Sequence, residues 1–518
     1  MRRAHGAGAI GLTLLAMVCS ACGTTVSGVS STTAANNELH APGDGSGPGV
    51  GATNGSNSTD GSGATAAGPA AAGGPGAVGS GAASAGAPGS LPPSVADKHA
   101  GITSTTITIG VTYYGNASAA NQAVGANGIT SGNEPADAQA VADDVNRHGG
   151  IAGRHVKIEL RQVDAQDATP YADQAQADCT YWTQDRHVFA AFVDTAFRGL
   201  ETACFEKAGT FLFGGDTIAG DDSNHLRFAL EPGAMDLTRM AQAEIATFNE
   251  ADWYGGWDAA TATASPTAPV KVGIFTFDSP ALRRIVTRYL VPGMRAAGHA
   301  PASADIIYAH PPSSEGQDGQ LVSELQSAVL RFRQDQVTHV LVTDSAATVT
   351  LIFANAAYSQ RYFPRLGGST GNALQALLDG GDIQKQSIQG AVLAGWMPVL
   401  DLPHGSAASQ SAMNSQARHC MQVMRVTGQS FSDSNSIATA YLYCDALYLL
   451  QAALAGTTEL TDQSVIAAVD ALGSRYQTAL AMRTDLASGR HDGSAGFRPE
   501  VYDDSCGCMT YRGAEGAV

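Results

Sequence analysis

Apolar residues from about position 107 onward fall into short runs, separated by polar turns and by stretches of helical spacing. Ile107 to Thr112 is a β-type run that ends in a loop rich in Tyr, Gly, Asn and Ser, from Tyr113 to Asn133. A helix is expected next: Glu134 and Pro135 sit at its start, Val141 and Val145 repeat at helical spacing, and Gly149-Gly150 supplies the stop. Val156, Ile158 and Leu160 then alternate with Lys157, Glu159 and Arg161, the pattern of a strand with one wet face. Further apolar runs come at Val188 to Val193, Thr210 to Phe213, Val270 to Phe277, His339 to Thr343 and Ala391 to Ala394. Helical segments such as Tyr171 to Trp182 and Ala281 to Ala297 lie between most of them. Strands alternating with helices at this spacing predict an α/β fold of parallel sheets covered on both faces. The folded stretch is too long for one such sheet, so two are expected.

The N-terminal region has a different pattern. Arg2 and Arg3 precede an apolar run from about Ala9 to Val18 and then Cys19-Ser20-Ala21-Cys22, the three-part layout of a secretory signal. The run is too short to span a bilayer, and no later stretch reaches the roughly 20 consecutive apolar residues of a membrane helix. Ser20-Ala21-Cys22 resembles a bacterial lipobox, whose cysteine becomes the lipidated N-terminus after cleavage; Cys19 stands where that pattern usually has Leu. Residues 1–22 are therefore expected to be a lipoprotein signal, with Cys22 as a lipid anchor on the outer face of the cytoplasmic membrane. From Gly23 to about Ala96 the chain is almost all Gly, Ala, Ser, Thr, Asn and Pro and lacks aromatic residues. Such a segment cannot bury enough apolar surface to offset its ordering entropy. Residues 23–100 are read as a disordered tether that holds the folded part on the order of 50 Å from its anchor. Gly74, Gly76 and Gly79 within it spell a dinucleotide fingerprint, but no strand precedes them and no helix follows, so the match is compositional noise.

Charge narrows the partners. Lys and Arg number 29 against 47 Asp and Glu, a net −18, which argues against nucleic acid and against docking on anionic lipid through a basic patch. Of eight cysteines, Cys19 and Cys22 belong to the export signal, leaving Cys179, Cys204, Cys420, Cys444, Cys506 and Cys508. An even number in an exported chain reads as disulfides. Cys179 with Cys204 and Cys420 with Cys444 would join neighbouring elements, although sequence does not fix connectivity. A bridge from Cys506 to Cys508 spans one residue and is strained. Neither of the first two pairs has a second Cys or His at ligand spacing, so neither a metal nor a cofactor is expected.

In open parallel sheets, ligands sit beyond the carboxyl ends of the strands, where loops feed helix N-termini. The loops in that position here are small and polar: Asp194-Thr195, Gly214-Gly215-Asp216-Thr217, Asp278-Ser279-Pro280, Asp344-Ser345, and Gly367 to Asn372 with Ser369 and Thr370. Each residue taken alone is also a good helix cap; the set together outlines a ligand cleft. Tyr113, Tyr114 and Trp396 are candidates for its apolar wall, although aromatic residues of this kind are equally common core packers.

Ile107-Thr108-Ile109-Gly110-Val111, followed by Asp143-Asp144-Val145-Asn146-Arg147-His148-Gly149-Gly150-Ile151-Ala152-Gly153-Arg154, resembles the opening of the type I periplasmic binding proteins. Within them it is similar to the branched-chain amino acid binding receptors of ABC transporters. Cys179 and Cys204 look like that family's disulfide, and Gly371-Asn372-Ala373 resembles a late binding loop. The resemblance implies two Rossmann-like lobes joined by three crossings: residues 101–231 and 401–485 in the first lobe, and 232–400 in the second. Residues 486–518 return to the second lobe. It also implies a monomer that closes on a small solute and delivers it to a membrane permease. At the family's carboxylate-binding positions this chain offers Thr195, Asp216 and Thr217. Where the family has a Tyr and a Glu in the second lobe it has Ala281 and Gly368, so the α-amino acid clamp is not visible.

Two other functions fit parts of the sequence. Gly367-Gly368-Ser369-Thr370-Gly371 matches the G-x-S-x-G nucleophile elbow, with Asp379, Asp382, His404, His419 and His491 in an order that permits a triad. A short pattern in a chain this rich in Gly and Ser is easily a chance match. A ligand-sensing or envelope interaction lipoprotein on the same fold is the other, since fold alone does not decide function.

Overall fold

The computed structural model describes residues 100–123, 125–193, 200–214, 218–219, 227–314, 317–343, 347–457, 459–486, 489–490 and 492–518. The expected signal with Cys22, the tether up to residue 99, and Asp194, Thr195, Asp216, Thr217, Ser345 and His491 lie outside the described residues.

Strand β1 (Thr106–Tyr114) opens the fold with Ile107, Ile109 and Val111 fully buried. It extends past the apolar run to take in Tyr113 and Tyr114, and the expected loop to Asn133 contains a short helix, Ala117–Ala123. Backbone pairing accounts for the extension. β1 runs parallel to β2 (His155–Val163) from Thr106 opposite His155 to Tyr114 opposite Val163, so the ladder carries the strand into the tyrosines. Helix α1 (Glu134–Arg147) starts where the sequence indicates, with the Asn133 side chain accepting from the Ala136 N–H and Pro135 in the first turn. Just past its end Gly149 and Gly150 take φ of 98° and 74°, the left-handed region that stops a helix. Helix α2 (Tyr171–Thr180) gives way to a π-helical turn through Asp185 that packs Trp182 against Gly110 of β1. Strands β3 (Ala190–Val193), β4 (Phe211–Gly214) and β5 (Ala229–Leu230) complete a wholly parallel five-stranded sheet, ordered β2-β1-β3-β4-β5.

The chain then leaves this sheet. Helix α3 (Leu237–Glu250) begins at Asp236, whose carboxylate caps the Arg239 N–H, and packs on a second sheet. Strands β6 (Val272–Phe277), β7 (Ile306–Ala309), β8 (His339–Val342), β9 (Arg365–Ser369) and β10 (Val392–Gly395) run parallel in the order β7-β6-β8-β9-β10. Helices α4 (Asp318–Gln334) and α5 (Ala347–Ser359) lie between them in the chain. The helix expected over 281–297 is interrupted by a π-helical turn, Val286–Leu290. The loop expected from Gly367 begins later, because β9 runs through Gly367, Gly368 and Ser369. Glycines weaken a strand signal, but Gly367 is required here: a Cβ there would lie 2.8 Å from the Phe248 ring and 2.9 Å from Trp253.

Helices α6 (Ser415–Val426), α7 (Ser434–Ala453) and α8 (Asp462–Leu472) return to the first sheet. There α6 and α7 pack against α1, the Tyr443 hydroxyl donating to Glu134 at 2.9 Å and the Tyr448 hydroxyl to Asp144 at 2.9 Å. The chain ends in β11 (Gly496–Asp503), antiparallel to β10, and in β12 (Cys508–Tyr511) and β13 (Gly516–Ala517), both antiparallel to β11. The second sheet is therefore mixed rather than purely parallel. Disulfides join Cys179 to Cys204, Cys420 to Cys444 and Cys506 to Cys508. Among the described residues no helix is long and apolar enough to cross a membrane.

Three passages of chain link the two lobes, near residues 231–236, 396–414 and 482–494. The first and third are zipped together: the Gly493 N–H donates to the Glu231 carbonyl at 3.1 Å, the Ser494 N–H to the Ala234 carbonyl at 2.8 Å, and the Asp236 N–H to the Asp492 carboxylate at 2.7 Å. The Arg239 guanidinium binds both carboxylates, Asp236 at 2.6 Å and Asp492, and so ties the start of α3 to this seam.

Candidate ligand-binding crevice

Loops at the carboxyl ends of the two sheets meet across the lobes. Segment 115–133, which follows β1, is anchored to the first lobe: the Thr130 hydroxyl donates to Asp433 at 2.6 Å, and the Thr130 carbonyl accepts from the Asn435 amide at 2.8 Å. Its tip reaches the second lobe, where the Asn127 and Gly128 N–H groups donate to one oxygen of Asp382 at 2.8 and 3.4 Å. Backbone meets backbone there, since a Cβ on Gly128 would stand 2.0 Å from the Gly380 Cα. Burial raises the Asp382 pKa, and the two N–H donors pull it back. On the other flank the Tyr171 N–H, at the start of α2, donates to the Ser313 carbonyl in the loop beyond β7 at 2.9 Å. The strand ends where an open α/β sheet binds its ligand are thus bracketed by two cross-lobe contacts.

Consecutive strands of the second sheet end in buried polar groups without partners. Thr343 follows β8, Ser369 ends β9 and Trp396 follows β10; each is at most 1% exposed. The Thr343 hydroxyl and the Trp396 indole N–H bond to no described residue, and the same holds for the Thr348 hydroxyl at the start of α5; the Ser369 oxygen faces the Asn372 N–H in a capping-box turn, but its hydroxyl donates to no described residue. Most buried polar groups find partners, so orphans at adjacent strand ends mark a place where water or a ligand completes the bonding. Asn372 holds this loop, accepting from the Ser369 N–H at 2.7 Å and donating to the Val342 carbonyl at 3.0 Å and the Thr350 hydroxyl at 2.8 Å. Thr370 is different. Its hydroxyl donates to Asp401 at 3.1 Å and accepts from the Trp396 N–H at 2.8 Å, so its bonding is used within the protein. The same Asp401 oxygen accepts from the Met397 N–H at 2.9 Å and the Tyr511 hydroxyl at 2.6 Å. Burial pushes the Asp401 carboxyl up against the pull of these donors, and burial and the Asp401 charge raise Glu500 beside it further.

The remaining candidates are dispersed. Tyr114 is buried in the core of the first lobe, and the half-buried Tyr113 donates its hydroxyl to Gln162 at 3.2 Å. Asp278 is held at the surface by both nitrogens of the Arg283 fork, one at 2.8 Å, and that guanidinium lies 4.1 Å from the centroid of the Tyr308 ring. Its Arg283 hydrogen bonds lower the Asp278 pKa, and Ser279 next to it caps the Leu282 N–H. Ser369, Thr370 and Trp396 come together at adjacent strand ends; Tyr113, Tyr114 and Asp278 lie at the ends of other strands. Thr343 and Thr348 escaped the sequence reading, because a threonine closing an apolar run reads as part of the strand.

The triad that Ser369 would need is not assembled among the described residues. The His404 N–H donates to Asp379 at 2.8 Å, His419 on α6 pairs with Asp144 at 3.2 Å, and Asp382 faces Asn127 across the lobes. No described base touches the serine.

Neither a protein-family model nor a curated protein sequence matches the chain. Solved structures do. A substrate-binding periplasmic protein from Ralstonia solanacearum aligns at 14% identity over 78% of this chain and 100% of its own, with a TM-score of 0.53. The chain has the type I periplasmic binding protein fold. A fatty acid ABC transporter substrate-binding protein from Thermomonospora curvata (15% identity, 82% of this chain, 95% of its own, TM-score 0.52) shares this fold. So does a leucine-binding protein from Thermotoga maritima (10% identity, 79% and 98%, TM-score 0.52). In a periplasmic binding protein fold the two sheets are the two lobes, and segment 115–133 with Asp382 sits where the lobes meet.

Proposed function

We infer that the protein is an extracytoplasmic solute receptor of an ABC importer, which closes its two lobes on a small polar molecule, such as an amino acid or amide, and delivers it unaltered to a membrane permease. One observation carries this reading: strand ends of the second lobe present buried, unpartnered hydroxyl and indole N–H groups between two cross-lobe contacts. Lipidation at Cys22 would hold the receptor at the outer face of the cytoplasmic membrane, the tether giving it reach, and the receptor acts as a monomer. The first-lobe candidates Asp194, Thr195, Asp216 and Thr217 lie outside the described residues. With Asp278 neutralised by Arg283 and Thr370 bonded internally, Thr343, Ser369 and Trp396 are the second-lobe contacts. A solute shifts the lobes toward closure only by its extra affinity for the closed form. Moving a mostly open population to a mostly closed one takes about 5.5 kcal/mol of such difference, within reach of several hydrogen bonds and an apolar wall.

The test is a thermal-shift screen of the purified protein against amino acids, amides, polyamines, short acids, aromatics and sugars. A ligand that binds only the native state raises the melting temperature, so at least one class should do so. Its Ser369→Ala form should bind that solute more weakly and show no change in any turnover. Silence across the whole library sinks the reading.

A further inference from the structure

The second passage between the lobes forms a strap, residues 398–413, with a cavity of about 120 Å³ beneath it. Val399, Met413, Ala417, Ile437 and Tyr441 contribute the larger, apolar part of its walls; His404, Ser409, Asn414 and Ser434 also line it, and the exposed Gln410 marks its mouth. The strap is fixed at both ends. The His404 N–H donates to Asp379, at the end of a second-lobe helix, at 2.8 Å, and the Asn414 amide donates to the Thr478 carbonyl beside α7 at 2.7 Å. Between these fixings runs a short helix, Ala407–Ala412, none of whose residues is buried. It covers the cavity without filling it. The lining includes none of Thr343, Ser369 and Trp396.

We propose that this cavity is a second binding site, for a small apolar molecule about one aromatic ring in size. Size and lining both point there. An enclosed apolar cavity of ~150 Å³ stays dry and takes up benzene; the space under the strap is of that order, mostly apolar, and open to solvent on one side. The apolar part of the lining, the larger one, offers water no hydrogen bond. An apolar occupant instead recovers dispersion contacts along walls supplied by the strap and by two helices, α6 and α7. A half-buried lid with an exposed residue at its mouth provides a path in. The site is independent of what the crevice binds.

The probe is toluene, titrated into the full-length protein carrying methyl-labelled methionine. The Met413 methyl resonance should shift saturably and more than any other of the 11 methionines. Ala417→Leu, which puts a side chain into the space, should weaken toluene binding at least tenfold, whereas Ser369→Ala should leave it unchanged. If Ala417→Leu does not fold, the strap variant Ala412→Leu takes its place with the same expectation. An unresponsive Met413 methyl in folded wild-type protein, or toluene binding undiminished in the filled variant, overturns the proposal.

Discussion

Asp178 and Glu244 are both carboxyls sealed from water, one in each lobe, and their surroundings are opposite. Asp178 on α2 accepts from the Thr112 hydroxyl at 2.8 and 3.0 Å and forms an ion pair with the Arg161 guanidinium at 2.9 Å; burial pushes its pKa up to about 6 while these partners pull it down. Glu244 on α3 bonds to no described residue through either oxygen, and burial alone pushes it up to about 8. The contrast repeats among hydroxyls. Thr112 near the end of β1 also accepts from the Trp182 indole N–H at 2.7 Å, whereas the Thr343 and Ser369 hydroxyls at the ends of β8 and β9 donate to no described residue. A buried polar group with partners is a structural fixture. One without them is an ionisation liability or a place prepared for something that arrives.

The largest expected effect lies at Glu244. Because its folded pKa of about 8 stands above the ordinary 4.5, its neutral form stabilises the protein fully below that ordinary value. The contribution is lost as pH rises through about 8, on the order of 4 kcal/mol in all. Glu244→Gln should therefore raise the melting temperature at alkaline pH and leave it unchanged near pH 4; an equal difference at both would break the contrast. Asp178→Ala should act the other way, destabilising by about 3 kcal/mol in urea melts at neutral pH, because it strands the Arg161 charge and the Thr112 hydroxyl proton. Asp178→Asn should recover part of that loss.

Smaller effects test the cross-lobe contact and the orphans. Asp382→Ala and Gly128→Val should each weaken solute binding by about 30-fold, or about 2 kcal/mol, while global stability stays near wild type. Calorimetry and the radius of gyration from small-angle scattering check this; unchanged affinity in both variants would remove closure from the function of this contact. Smallest is the pair Ser369→Ala and Thr112→Val. Removing an orphan hydroxyl should leave stability within about 0.5 kcal/mol and lower solute affinity about fivefold, whereas removing the bonded one should lower stability by about 1 to 2 kcal/mol and spare affinity. Similar stability losses in the two would erase the distinction between them.

Much of the architecture was legible in the chain because periodicity and punctuation are local. Gly149-Gly150 ends α1 through positive φ. On β2 the alternation predicts the strand but not its wet face: Val156 is buried and Ile158 half-buried, whereas Leu160 is exposed and Glu159 and Arg161 are partly covered at this sheet edge. The second sheet was harder to read. Gly367 and Gly368 look like a loop until the rings of Phe248 and Trp253 are seen to need the space, and the antiparallel strands β11 to β13 carry no strong alternation. The site was legible only as a set of strand-end loops. Ser369 and Thr370 are neighbours with the same chemistry, and nothing local shows that the Thr370 hydroxyl bonds Asp401 and the Trp396 backbone while the Ser369 hydroxyl donates to no described residue.

The order of apolar runs and helix stops determined by itself that the chain alternates strands with helices and folds as two sheets, because these features follow from contacts among near neighbours and from composition. Which polar groups are satisfied was decided by the tertiary structure alone. Asn127 meets Asp382 across 255 residues of chain, and Thr112 meets Asp178 across 66. A hydroxyl's availability depends on what the fold places within about 3 Å of it, and no local pattern encodes that.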